Sequence, residues 1–157
     1  MSEYRNDYLP FNNSVESGIR LLAILNQSYP RSIDIAKMLY YDYMLVHSSD
    51  FDEEVSSLHP SIPYRRGELL VRKPIIQKGL ELLISRGLIE IVYSSEGLQY
   101  RASEYSAPFV ESLSTPYSLQ LIDRAEWIKK NYIDFNISQL HNLLDMPNDT
   151  FNLEILD

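Results

Sequence analysis

Residues 72–101, RKPIIQKGLELLISRGLIEIVYSSEGLQYR, constrain this chain more than any other stretch. Pro74 stands where a first helical residue belongs, and Gly87 where a left-handed residue closes a helix. Between them Ile76, Gly79, Leu80 and Leu83 recur at i, i+3, i+4 and i+7, the inward face of an amphipathic helix. Two short runs follow, 88–93 and 98–103, split by Ser-Ser-Glu-Gly, and Gly97 suits the turn of a β-hairpin.

A helix that ends in Arg-Gly-Leu-Ile and runs into a hairpin is the core of a winged helix. The expected fold is therefore mainly α with a small β-hairpin (α+β), a winged-helix-like domain with additional C-terminal helices. The expected organisation is an arm over 1–12, a domain over 13–132 with an inserted loop at 48–71, and a helix with an acidic-apolar tail over 133–157.

Ahead of the central stretch, Leu9, Pro10 and Phe11 offer a docking point on the arm. Asn13 caps a first helix, paired with Glu16 in a capping-box-like arrangement, and Tyr29-Pro30 stops it. Ser32 is expected to cap a second helix from Ile33 to about His47. That helix carries only Asp34, Lys37 and Asp42 as charges, so its apolar arc is too wide for one small core. It is either central to the domain or part of an interface. The cluster Tyr40, Tyr41 and Tyr43 favours some interface use, since tyrosine suits surfaces that are apolar and hydrogen-bonding at once. Residues 48–73, with Asp50, Asp52, Glu53, Glu54, Pro60 and Pro63, read as a long exposed connection. Beyond the hairpin, 108–113 reads as one or two helical turns, Thr115-Pro116 opens a helix to about Tyr132, and 137–144 forms a last short one. Trp127 lies off that helix's apolar stripe, and the tail places Phe151 and Leu153 among acids.

Composition narrows the function. The chain of 157 residues has no cysteine, which excludes disulfides and thiolate metal sites and fits a reducing cytoplasm. No signal peptide is expected from MSEYRNDYLPFNN, and no apolar run approaches the roughly 20 residues of a membrane span. His47, His59 and His141 are too scattered for a short-range ligand motif. The acids of 50–54 lack the spacing and glycine of a calcium loop, and no phosphate-binding or nucleophile motif is present. The expectation is no catalytic residue, no metal and no cofactor.

The formal charge is −8, from 14 basic and 22 acidic residues, which argues against DNA as the main partner. Within 64–86, however, six basic residues face Glu68 and Glu81, a local charge of +4 on an otherwise acidic chain. Arg65, Arg66, Arg72, Lys73 and Lys78 are the candidate contacts to a DNA backbone. The outward face of the helix, Gln77, Lys78, Glu81, Ile84 and Ser85, is poorly suited to reading bases. The candidate partner-facing residues are Tyr40, Tyr41, Met44, Ile84, Trp127, Phe151 and Leu153.

In order, FNNSVESGIRLLAIL, YPRSIDIAKMLYYDYMLVHSSDF, HPSIPYRRGELLVRKPIIQKGLELLISRGLIEI and YSLQLIDRAEWIKKNY resemble the middle component of ABC-three-component systems. These are small subunits encoded with an SMC-like ATPase in Lamassu-type anti-phage defence. The resemblance spans roughly 11–132, and its most telling piece runs from His-Ser-Ser-Asp-Phe to Arg-Arg-Gly-Glu-Leu. It implies a non-enzymatic subunit that docks on the heads of an SMC-like ABC ATPase, beside an effector such as a nuclease. DNA would be touched non-specifically and through the complex. The reading set against it is a stand-alone winged-helix transcription regulator binding an operator as a homodimer; a hydrolase with a scattered active site has no supporting motif.

Overall fold

The computed structural model describes residues 13–61 and 65–144, with the side chains of Arg65 and Arg66 left outside the description. Six helices and one hairpin make up this part: α1 (Ser14–Ser28), α2 (Ile35–Val46), α3 (Arg65–Ser85), β1 (Ile89–Ser94), β2 (Gly97–Ala102), α4 (Ser106–Glu111), α5 (Pro116–Asn131) and α6 (Ile137–Leu143). The chain is mainly helical with a small two-stranded antiparallel sheet, the expected class. No described helix is long and apolar enough to cross a membrane.

Helix α1 lies at the middle, packed against α2, α3, α4, α5 and β2. Its start follows from Asn13, whose side chain accepts the Glu16 backbone N–H at 2.8 Å. At its crossing with α3 the backbones nearly touch. A methyl group on Gly79 would lie 3.1 Å from both the Gly18 nitrogen and the Ser17 hydroxyl, so Gly79 is the residue that lets the helices meet.

Helix α2 is the core itself. From Met38 to Val46 every residue is buried, which resolves its wide apolar arc in favour of a central position. It starts at Ile35, later than expected, because Asp34 is the cap, accepting the Lys37 N–H at 2.8 Å. Ser32 bonds Gln99 instead, and Ile33 exchanges two backbone hydrogen bonds with Tyr100, extending the hairpin by one bridge.

The expected exposed loop over 48–71 is corrected at both ends. Helix α3 begins at Arg65 and carries Pro74 in its interior. A mid-helix proline removes one N–H and crowds the carbonyl four residues earlier. Here Pro74 is exposed, and the turns before it are anchored by Leu69 and Arg72 in the core, so packing overrides the local preference. The connection over 47–61 is tied down. Leu58 and His59 both donate to the Val46 carbonyl at 2.9 Å, and Arg124 of α5 holds the Ser56 carbonyl.

Helix α3 ends as read. Gly87 has φ +70°, Gly87 donates to Ile84 and Leu88 to Leu83, the double bond of a Schellman closure. The hairpin pairs Ile89 with Ala102 through Ser94 with Gly97, and Gly97 has φ +109°. The core continues past residue 132: Ile133, Leu140 and Leu144 are buried, and α6 packs on α2.

Candidate functional site

The least expected feature is a charge cluster at the junction of α1, α2 and α3. Asp42 is wholly buried in the middle of α2. Arg20 of α1 donates through Nε to Asp42 Oδ1 at 2.7 Å, and Arg72 of α3 donates through Nη1 to Oδ2. Arg72 also bonds Glu68 one turn earlier at 3.0 Å and lies over the Tyr43 ring. Burial alone would push the Asp42 carboxyl up, but the two guanidinium groups outweigh it and hold it below the usual range. Burial opposes the charge on Arg20 as well, and Asp42 reverses that, leaving its pKa raised.

A row of rings continues from the cluster. His47 packs on Tyr43 with ring centres 4.6 Å apart and meets His59 edge-on at 6.1 Å. His59 Nε2 lies 2.7 Å from the Tyr117 hydroxyl, and Tyr43 donates to Asp50 at 2.7 Å. Burial, reinforced by Arg72 beside His47 and by Arg20 and Arg72 beside His59, pushes both imidazoles down to about 4. Both rings are therefore neutral at pH 7, and His47 Nδ1 has no hydrogen-bond partner among the described residues. Among the described residues no three acids or histidines converge as a metal site would require. With Asp42 and Glu68 paired to arginines and Asp50 accepting from the Tyr43 hydroxyl, the cluster ties the three helices together.

These contacts move several expected site residues inward. Arg72 is buried and ion-paired, so it leaves the candidate DNA-facing set: its charge answers Asp42. Tyr40, Tyr41 and Met44 are wholly buried and leave the partner-facing set. Their tyrosines are tolerated inside because each hydroxyl finds a partner. Tyr41 donates to the Tyr132 and Ile133 carbonyls, while the Tyr40 hydroxyl lies 3.2 Å from His141 Nδ1. Lys73 is half-buried and Lys78 exposed on α3. Ile84 and Trp127 are half-buried, Trp127 packing edge-on against Tyr132 at 5.2 Å. Phe151 and Leu153, like Leu9, Pro10 and Phe11, lie outside the described residues.

Apolar surface is found elsewhere. The register places Ile89, Ile91 and Tyr93 of β1 and Leu98, Tyr100 and Ala102 of β2 on one face of the hairpin. This ladder starts in the core at Ile89 and Ala102 and runs outward until Tyr93 is 82% exposed. The opposite face holds the Glu90–Arg101 ion pair. A second apolar stripe, Leu70, Val71 and Pro74, lies on the solvent side of α3 beside Lys73 and Lys78. Asp42, Arg20 and Glu68 were not singled out as a unit by sequence reasoning. The available signal was a lone acid inside an apolar helix, which demands a buried cation elsewhere.

No curated protein and no solved structure matches the chain. A family model does, over residues 10–153, and its description is the ABC-three component (ABC-3C) system Middle Component 2. The match takes in every described element from α1 to α6, the charge cluster and the hairpin alike. The chain thus belongs to the middle-component-2 family of ABC-three-component systems.

Proposed function

We propose that the chain is a non-catalytic accessory subunit of a Lamassu-type anti-phage complex, docking on the heads of an SMC-like ABC ATPase and helping to couple DNA sensing to an effector such as a nuclease. The observation that carries this reading is the family match across nearly the whole chain, since a middle component works with partner subunits. The α3–hairpin unit is read as winged-helix-like. Its outward ladder of Ile91, Tyr93 and Leu98 is the adhesive surface in this reading, in place of the buried α2. Solvent-facing aromatic and aliphatic groups of this kind form the centre of protein interfaces.

DNA is held weakly and without base selection, by Lys73 and Lys78 together with Arg65 and Arg66 at the start of α3. Each phosphate neutralised steepens the salt dependence by about 0.9 in logarithmic slope. Glu81, exposed on the same helix, works against deep entry into a groove.

Co-expression with the ATPase and effector encoded beside it tests the reading. The expected outcome is one species that survives gel filtration at moderate salt. Separate elution of the subunits, or selective operator binding by the isolated chain, overturns it.

A further inference from the structure

Among the described residues strand β1 is paired on one side only: the sheet is the β1–β2 hairpin, extended beyond β2 by the bridge to Ile33. Ile33 and Tyr100 exchange both backbone hydrogen bonds, at 2.8 and 2.9 Å, so Tyr100 turns its N–H and C=O away from β1. Ile91, opposite Tyr100, therefore sits in a non-hydrogen-bonded pair and points its own N–H and C=O outward from the hairpin. Alternation gives Tyr93 the same direction and turns Glu90 and Val92 inward to β2. The Ser103 N–H bonding the Leu88 carbonyl at 2.9 Å fits the same alternation just before the strand. The free edge thus offers the backbone groups of Ile91 and Tyr93, residues 38% and 82% exposed.

Exposed edges are normally blunted by lysine, proline, a bulge or a covering segment. The six residues of β1, IEIVYS, contain neither lysine nor proline and pair one-to-one with β2. Their only charge, Glu90, is met within the hairpin by Arg101 at 2.8 Å.

We infer that this edge pairs with the β1 edge of a second copy, antiparallel about a two-fold axis through Val92. In that register the strand is complementary to itself. Ile91 meets Tyr93 of the second copy in a hydrogen-bonded pair, and Tyr93 meets Ile91, so the outward N–H and C=O groups are used. Each is also an aliphatic–aromatic cross-strand pair. Val92 meets its own counterpart, and Glu90 meets Ser94. The two glutamates then stand four residues apart along the strands, about 14 Å, beyond the screening length at about 0.1 M salt. Moving the axis to Ile91 would set them on a diagonal of about 7–8 Å, so charge selects the register. Such an isologous contact closes at two copies. The second copy takes the edge and leaves the apolar face of the ladder open, so the pairing goes beyond the proposed function and does not depend on it.

The isolated full chain carries the test, with no ATPase present. Sedimentation equilibrium over about 1 μM to 1 mM is expected to show monomer and dimer in exchange. Val92→Glu and Val92→Lys, which oppose like charges at the axis, should each weaken the dimer at least about tenfold. An equimolar mixture of the two should restore it, a rescue that misfolded variants would not give. Because the chain has no cysteine, Val92→Cys under mild oxidation with oxidised glutathione should form a disulfide-linked dimer. The non-hydrogen-bonded pair sets those Cα atoms about 4.5 Å apart, within disulfide reach. Ser95→Cys, fully in solvent at the turn, should not cross-link. A monomer throughout the range, a dimer indifferent to Val92→Glu, or Ser95→Cys cross-linking as fast as Val92→Cys overturns the inference. So does hydrogen-exchange protection of the Ile91 and Tyr93 amides that is independent of concentration, the mark of a segment of the same chain on the edge.

Discussion

Arg20 Nε donates to Asp42 Oδ1 at 2.7 Å with both side chains cut off from water, so the charge inside α2 is answered from another helix. Arg72 closes the other carboxylate oxygen from α3. Breaking such a buried pair leaves an uncompensated charge, at a cost of about 3–5 kcal/mol. Asp42→Asn should therefore destabilise the chain by about that amount in urea unfolding. Replacing all three by apolar residues of similar volume, Arg20→Met, Asp42→Leu and Arg72→Met, should recover most of the loss. If Asp42→Asn costs under about 1 kcal/mol, the cluster does not hold the three helices together.

Gly79 provides a second test, because propensity and packing oppose each other. In an exposed helix Gly→Ala gains roughly 1 kcal/mol. At this crossing the added methyl meets the Gly18 nitrogen and Ser17 hydroxyl at 3.1 Å, and backbone atoms cannot swing aside. Overpacking of this kind typically costs about 1–3 kcal/mol, so Gly79→Ala should lower the thermal midpoint. Adding Ser17→Gly should recover part of that loss by freeing the space opposite. A midpoint raised by Gly79→Ala would mean that α1 and α3 stand further apart.

The parts of the fold that local chemistry decides were legible in the sequence. Asn13, Gly87 and Gly97 act within a few residues of themselves, so cap, helix stop and turn are found where expected. Pro74 misled because its local meaning was overruled from a distance: Arg72 is fastened to Asp42, 30 residues away. Tyr41 misled for the same reason. An amphipathic ring is read as surface unless its partner is visible, and its partners are carbonyls 91 and 92 residues downstream. Asp42 stood out as an acid in an apolar helix, but nothing local selects Arg20 and Arg72 from the 14 basic residues.

The histidine row makes stability depend on pH with a definite sign. His47 and His59 are pushed down to about 4, below the ordinary 6.5 that each regains on unfolding. Between those values the unfolded chain binds more protons, so stability falls as the pH drops from about 6.5 to about 4. The slope is at most about 1.4 kcal/mol per pH unit for each ring. Below that window the Asp42 carboxyl, held under its ordinary value, adds a further acid loss. His47→Phe keeps the packing on Tyr43 and removes the unpartnered Nδ1 atom, so it should be near neutral at pH 7 and should flatten the acid slope. Midpoints measured from pH 4 to 8 check this; an unchanged slope would move the acid sensitivity to other groups.

The hairpin separates stability from association. Tyr93 faces Leu98 across the strands at the outer end of the ladder, where both are exposed. A cross-strand pair of this kind contributes roughly 0.2–1 kcal/mol, so Tyr93→Ser with Leu98→Ser should leave the fold nearly as stable. If the ladder seats on a partner subunit, the same change removes an apolar anchor from the middle of an interface, where truncation costs about 2 kcal/mol or more. That corresponds to a loss of affinity of at least about tenfold. The expected result is an unchanged circular dichroism spectrum, a thermal midpoint within a few degrees of the parent, and weakened co-elution with the proposed ATPase partner. Full retention of the complex would remove the ladder from the interface and leave the Leu70, Val71 and Pro74 stripe of α3 as the next surface to alter.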